Sequence, residues 1–379
     1  MSIISIAKTS GYDYETIEKS IELHFKTLEL DKKIKPDMRV LIKPNLLMKR
    51  SPDEGTTTHP VIVKAIINKL KQLGVSDITV ADSPGGPYTR QALHGIYAQT
   101  GYAELAKQLD FNLNDDFGFA PRSFEQGKAC REFNLINPVH NADYIINVPK
   151  LKTHCMTTLS GAVKNLFGTV PGLQKPEMHF RFTDKEKFAQ MLLDLCQTVK
   201  PNATIVDAVV SMEGDGPSGG ELRNTGLTLA SENPYELDVA LCRLIDIGTK
   251  DVHTVRLSIE NGLANESEIK ISGDFDEIIP IREYKKPASK TIDFQSSVPV
   301  IVRPVAAYIS EKYLSPKPKV ELKKCIGCGK CAESCPAKVI KITNRKAQID
   351  HKDCIKCYCC HEMCPVKAIE IKRSRLLKI

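Results

Sequence analysis

Two hydrophobic periods alternate along the first 280 residues. RVLIKPN (39–45), DITVADSPGG (77–86), DYIINVPK (143–150) and ATIVDAVV (203–210) are short, β-branched apolar runs. Between them, PVIVKAIINKLKQLG (60–74) spaces its apolar side chains three and four apart, as one face of a helix requires. TLSGAVKNLFG (158–168) also reads as helical, and a further helix opens at Thr183. There Thr183 and Glu186 form a capping box, and Phe188, Leu192, Leu195 and Val199 give the stripe to be buried. Another helix starts at Asn233 with Pro234 as its first residue and stops at Gly248. Strand, helix, strand is the rhythm of βαβ units, so residues 1–280 predict an α/β domain built on a doubly wound, mostly parallel sheet.

Residues 281–315 change character. KKPASK, SSVP and SPKPK flank one helical pattern, VRPVAAYISEKYL (302–314), and predict a linker with a short docking helix. Beyond it the chain repeats itself with a 29-residue offset: VELKKCIGCGKCAESCPAKVIKI from 320 aligns with IDHKDCIKCYCCHEMCPVKAIEI from 349. Each copy predicts strand, loop, short helix and strand, and the two (316–344 and 345–374) make a small α+β module.

A chain of 379 residues buries a sizeable core without disulfides, and nine of its 13 cysteines crowd between Cys325 and Cys364. That clustering points to metal ligation. The N-terminus lacks the charged and apolar regions of a leader, and no run approaches the roughly 18 apolar residues of a membrane helix, which predicts a cytoplasmic protein without a membrane span. Charge is uneven: 16 Lys/Arg against 6 Asp/Glu from Lys317 onward give +10, leaving −3 for the first 316 residues of a chain with net +7. The tail's bases alternate with cysteines and short apolar pairs, without a recognition helix or stacking aromatics, which counts against nucleic acid. An acidic surface, on this chain's larger domain or on a redox partner, suits them better.

Each repeat carries C-x2-C-x2-C-x3-C-P, at Cys325, Cys328, Cys331, Cys335 and again at Cys354, Cys357, Cys360, Cys364. Zinc also uses Cys-x2-Cys pairs but has no need of a third cysteine at the next step. The tail resembles the bacterial two-cluster 4Fe-4S ferredoxins over about 60 residues. That resemblance implies that the fourth cysteine of each run serves the other cluster, giving Cys325, Cys328, Cys331 and Cys364 to one and Cys354, Cys357, Cys360 and Cys335 to the other. Cys359 is left over. It stands opposite Lys330 in the repeat, a position with no ligand role, and reads either as a small residue tolerated in a loop or as a redox-sensitive thiol.

In the larger domain, two glycine-rich loops follow strands: DSPGGP, with Asp82, Ser83, Gly85 and Gly86, and EGDGPSGG, with Glu213, Gly214, Gly216 and Gly219. Ligands of open α/β sheets bind beyond the carboxyl ends of strands, where glycine lets backbone N–H groups approach an anion. The second loop spells G-x-G-x-x-G, but no helix-forming sequence follows, which argues against a dinucleotide site. Around these loops fall Lys43 and Asn45; Lys150, Lys152 and His154; Lys164 and Asn165; and Lys175, His179 and Arg181. Lysines at strand ends suit a phosphate or carboxylate, and a histidine among them is driven towards its neutral form.

KPNLL, ADSPGG, NVPKLKTH, SGAVKNLFGTVPG, MHFRF and MEGDGPSGG, in that order, resemble the domain of unknown function 362 family, which often carries a C-terminal two-cluster ferredoxin unit. The resemblance implies cluster-bearing proteins of largely unassigned function, frequent in anaerobes, and assigns no reaction. The residues themselves predict an iron–sulfur oxidoreductase acting on an anionic small molecule, with Lys150, Lys152 and Lys164 clamping the anion and His154 as proton donor; His154 and Lys164 are the catalytic candidates. A flavin is the natural converter between one-electron clusters and two-electron reduction, its phosphate resting on the glycine loops. The competing expectations are an electron-transfer adaptor that only docks a redox partner protein, and a maturation factor.

Overall fold

Neighbouring residues of the central strands feed two different cores. Val40, Ile42, Tyr144 and Ile146 pack into one, Leu41 and Ile145 into the other. Successive side chains of a strand point to opposite faces, so the sheet is covered on both sides. The computed structural model describes residues 2–289 and 315–372. Its strands are β1 (Ser2–Lys8), β2 (Val40–Pro44), β3 (Ile78–Val80), β4 (Asn112–Leu113), β5 (Phe119–Ser123), β6 (Glu132–Ile136), β7 (Tyr144–Val148), β8 (Lys150–His154), β9 (Thr158–Ser160), β10 (Ala203–Glu213), β11 (Glu221–Ser231) and β12 (Ile269–Gly273). Ten of them form one sheet in the order β12-β1-β11-β10-β7-β2-β3-β4, with β8 and β9 branching from β10, while β5 and β6 pair apart.

Most pairings in this sheet are parallel; the exceptions are β11, antiparallel to both β1 and β10, and β9, antiparallel to β8. Helices Tyr14–Thr27, Pro60–Gln72 and Arg90–Gln99 fill one face, and Lys185–Val199, Pro234–Leu244 and His253–Glu260 the other. This is the doubly wound arrangement that the alternating periods predict.

Four local expectations change. Asp184, not Thr183, caps the helix Lys185–Val199, its carboxylate accepting the N–H of Lys187; a carboxylate gains more than a hydroxyl at the positive end of a helix. The stripe Phe188, Leu192, Leu195 and Val199 is buried. The helix capped by Asn233 ends at Leu244 rather than Gly248, because Asp246 turns left-handed and Ile247 N–H reaches back to Cys242 O. TLSGAVKNLFG is not one helix but β9 followed by the short helical turns Ala162–Asn165 and Leu166–Thr169. Gly161 makes that break, since the Asp238 carboxylate fills the space of a Cβ there and accepts from Ala162 N and Val163 N. Finally, KLKTH follows β7 directly but is itself a strand, β8, rather than a loop.

The cysteine-rich tail adds β13 (Lys317–Val320), β14 (Ile340–Thr343), β15 (Lys346–Ile349) and β16 (Ile369–Lys372), with short helices Lys330–Glu333 and Cys359–Glu362. First strand pairs with last and the two inner strands pair together, all antiparallel, so the repeats interlock. The docking helix expected at 302–314 lies outside the described residues.

The second repeat's helix is seated on the larger domain by the two glycine loops. Ser218 Oγ donates to Glu362 O (2.7 Å), the two His361 ring nitrogens face Ile369 O (2.5 Å) and Asp215 O (2.9 Å), and Arg50 donates to Cys364 O (3.2 Å). A Cβ on Gly85 would meet Met363, and one on Gly219 would meet the His361 ring and Asp215 O. These glycines therefore admit a protein surface where the sequence suggested a phosphate. A Gly219→Ala variant is expected to keep the thermal transition of the larger domain while the tail exchanges amide hydrogens faster around 358–364; unchanged exchange there would show that this contact does not seat the module.

Candidate functional site

Strand alternation puts Lys150, Lys152 and His154 on one side of β8, all nearly inaccessible to solvent. Buried ammonium groups need partners, and the structure supplies them in two ways. Lys150 pairs with Asp207 (2.9 Å) and also meets Tyr12 Oη, while Lys43 pairs with Asp82 (2.6 Å), whose second oxygen accepts from Leu46 N. Gly168 presses against that second pair so closely that a Cβ would collide with both partners.

Lys152 and Lys175 have only neutral acceptors. Lys152 donates to Asn45 Oδ1 (2.5 Å) and Thr56 O (2.7 Å); Lys175 donates to Ser83 O, Ser83 Oγ and Val170 O. Burial pushes each down to about 7. Lys164 is more open, lies 4.9 Å over the Phe167 ring, and is also lowered by burial, against the opposing pull of Glu362.

These side chains surround a cavity of about 80 Å³ between the larger domain and the tail, room for about five waters or a small ligand. His154 Nδ1 accepts from Met156 N (3.0 Å), so neutral His154 carries its proton on Nε2, which has no partner and sits 3.7 Å from Glu362 Oε2. Burial, helped by Lys164, holds His154 well below its ordinary range. His179 stacks on Phe188 at 4.5 Å, is pushed down to about 3 by burial, and leaves Nδ1 without a partner. Asn165 donates to Asn147 Oδ1 and leaves its own Oδ1 unmatched. Three orphaned polar atoms around one cavity are what a polar ligand would satisfy.

In the tail, Cys325, Cys328, Cys331 and Cys364 line one small cavity, three thiols from the first run and the last of the second. Backbone N–H groups point at sulfur, Ala347 to Cys325 (3.4 Å) and Ala368 to Cys364 (3.1 Å). Cys335 stands close enough to Cys354 and Cys360 to act on both electrostatically. Soft thiolates with amide donors suit an iron–sulfur cubane. Residues 324–368 match the 4Fe-4S dicluster domain, and residues 40–243, more than half of the chain, match the domain of unknown function (DUF362).

The chain belongs to the DUF362 family. It is similar to a thylakoid-associated protein of Synechocystis sp., 29% identical over 262 residues that cover 69% of this chain and 79% of the relative. Among solved structures it is similar to the lactate racemase apoprotein of Thermoanaerobacterium thermosaccharolyticum, at 12% identity and a TM-score of 0.40, covering 63% of this chain and 56% of that one. The dicluster domain indicates iron–sulfur electron transfer. Among the described residues no helix is long and apolar enough to cross a membrane.

Of the residues singled out in the DUF362 domain, Lys152, His154, Lys164, Asn165, Lys175 and His179 line the cavity, joined by Asn45, Asp82, Ser83, Gly85 and Gly86. Lys43 and Lys150 do not line it; their carboxylate partners occupy them. Lys150 is thereby removed from the anion clamp. Arg181 is exposed over Phe182, and Glu213 accepts from Lys285 N. Gly214, Gly216 and Gly219 belong to the hairpin between β10 and β11, not to a strand–helix turn, and line no part of the cavity.

Sequence reasoning missed the dicluster domain's share of the wall: Ser334, Cys359, Glu362 and Met363. The signal for one of them was present, since Cys359 breaks the repeat where Lys330 stands.

Lysines near 7 give the site a pH dependence of definite sign. Below that value Lys152 and Lys175 are charged and favour an anion; above it they are neutral. Sulfate, a dianion across the range, is expected to bind about tenfold or more weakly at pH 8.5 than at pH 6 by calorimetry. Flat affinity would mean that neither lysine titrates in this range.

Proposed function

We propose that this chain reduces a small anion in the cavity between the DUF362 and dicluster domains. The observation that carries this reading is the shared wall. Lysines and an unmatched His154 Nε2 stand on one side, and on the other is Cys359, flanked in sequence by Cys357 and Cys360. Cys325, Cys328, Cys331 and Cys364 would hold one cluster and Cys335, Cys354, Cys357 and Cys360 the other. When bound, the clusters supply electrons one at a time.

Lys164 and Lys175 hold the anion by charge. Lys152 is the better proton donor: two of its three N–H bonds are used by Asn45 and Thr56, one is left for a ligand, and a value of about 7 matches a general acid at neutral pH. His154, kept neutral by burial, acts instead as a hydrogen-bond donor through Nε2, orienting the substrate. The cavity's volume suits a ligand of few atoms rather than a three-ring flavin. The orphaned polar atoms favour a ligand site over a docking adaptor, whose sheet edge would be filled.

Protein purified without oxygen is expected to hold about eight irons. After reduction by dithionite, small carboxylates and oxyanions should be screened for faster reoxidation. Lys152→Gln should slow the active anion's reaction about 10²–10⁴-fold with iron content unchanged; an unaltered rate would remove Lys152 from the chemistry, and a panel with no active anion would sink the reductase reading. Cys359→Ser is expected to keep full iron while Cys364→Ser loses part of it. Iron loss in Cys359→Ser would mean that the ligand register is wrong.

A further inference from the structure

The dicluster domain has a second face that the cavity does not use. Four of the nine exposed large apolar residues in the described chain lie in its 58 described residues: Leu322 (55% exposed), Ile326 (60%), Ile342 (38%) and Val366 (37%). Ile326, Ile342 and Val366 line the same small cavity as Cys325, Cys328, Cys331 and Cys364, and Cys328 is itself exposed. Exposed bases alternate with these apolar positions: Lys323 and Lys324 follow Leu322, Lys341 precedes Ile342, and Lys367 follows Val366. The other thiol set differs, for Cys357, the counterpart of Cys328, is only partly exposed, and Cys359 two residues on lines the anion cavity.

We infer that the face around Cys328 docks a small acidic one-electron carrier protein, which passes its electron to the cluster held by Cys325, Cys328, Cys331 and Cys364. The inference rests on the ligand assignment proposed above. Between Lys317 and Lys372 there are 13 Lys/Arg and 6 Asp/Glu, a surplus of +7. Two oxidised clusters with their thiolates add about four negative charges, so the module as a whole stays positive. Small apolar centres ringed by like charges are how transient interfaces combine water exclusion with electrostatic steering. In the transfer the carrier is oxidised by one electron and the outer cluster reduced by one, with no proton or bond exchanged. The cluster that the outer thiol set would hold would then receive electrons, and the one held by the set beside Cys359 would pass them to the cavity.

The test uses the full chain with its clusters and an acidic plant-type [2Fe-2S] ferredoxin, reduced and freed of dithionite, whose reoxidation is followed by stopped flow with no anion substrate present. The second-order rate is expected to fall about tenfold or more between low and high salt, and by a similar factor in a Lys323→Glu/Lys330→Glu/Lys367→Glu variant. Iron content and direct reduction by dithionite should stay as in the parent. Ile326→Ser, which changes no charge, should slow the carrier alone and serves if the triple variant loses iron. A rate indifferent to salt and to these substitutions overturns the inference. So does a dimer of the unmixed chain that the same substitutions dissociate, which would assign the face to a second copy. Loss of anion reduction in Lys152→Gln leaves this assay unmoved, so the two readings fail separately.

Discussion

Burying ammonium groups is the constraint on which the rest of the site depends. Four lysines, at 43, 150, 152 and 175, are nearly or wholly removed from water, yet only Lys43 and Lys150 have carboxylates to face. Taking one partner from a buried pair costs about 3–5 kcal/mol, so those two are fixed parts of the scaffold. The loop at 166–172 is shaped around one of them, with Gly168 against Lys43 and Asp82, and Ser83 bonded to both Gly168 O and Gly172 N. The unpaired lysines are what the scaffold leaves for a ligand. Their depressed basicity follows from the same burial that makes the paired ones rigid.

The fold was legible because its signal is periodic. Alternation of β-branched runs with amphipathic helices led to the doubly wound sheet, and the 29-residue offset led to the interlocked tail, whose helices begin at Lys330 and Cys359. Boundaries were less legible where a distant side chain sets them. Nothing near TLSGAVKNLFG announces that Asp238 will hold the N–H groups of Ala162 and Val163 and break the helix at Gly161. The antiparallel β11 was likewise hidden, and with it the fact that EGDGPSGG is a hairpin.

For the site, residue type was informative and partnership was not. Lys150 and Lys152 are indistinguishable in PKLKTH, two places apart on one strand face; what separates them is Asp207 beneath one and Asn45 beside the other. Glycines misled for a related reason. Gly85 and Gly219 do permit close approach, but of Met363 and His361 rather than a phosphate. A sequence records that a surface must come near without recording whose surface it is.

The duplicated tail carries one more consequence. Glu333 and Glu362 occupy the same place in the two repeats, as do Lys330 and Cys359, yet one member of each pair is exposed to solvent and the other helps to wall the cavity. An isolated module of this kind has a near twofold axis, and its two ends are interchangeable. Seating only one end on the DUF362 domain abolishes that equivalence and gives the module a head and a tail. Duplication supplied two like halves, and burial of one of them made the assembly vectorial.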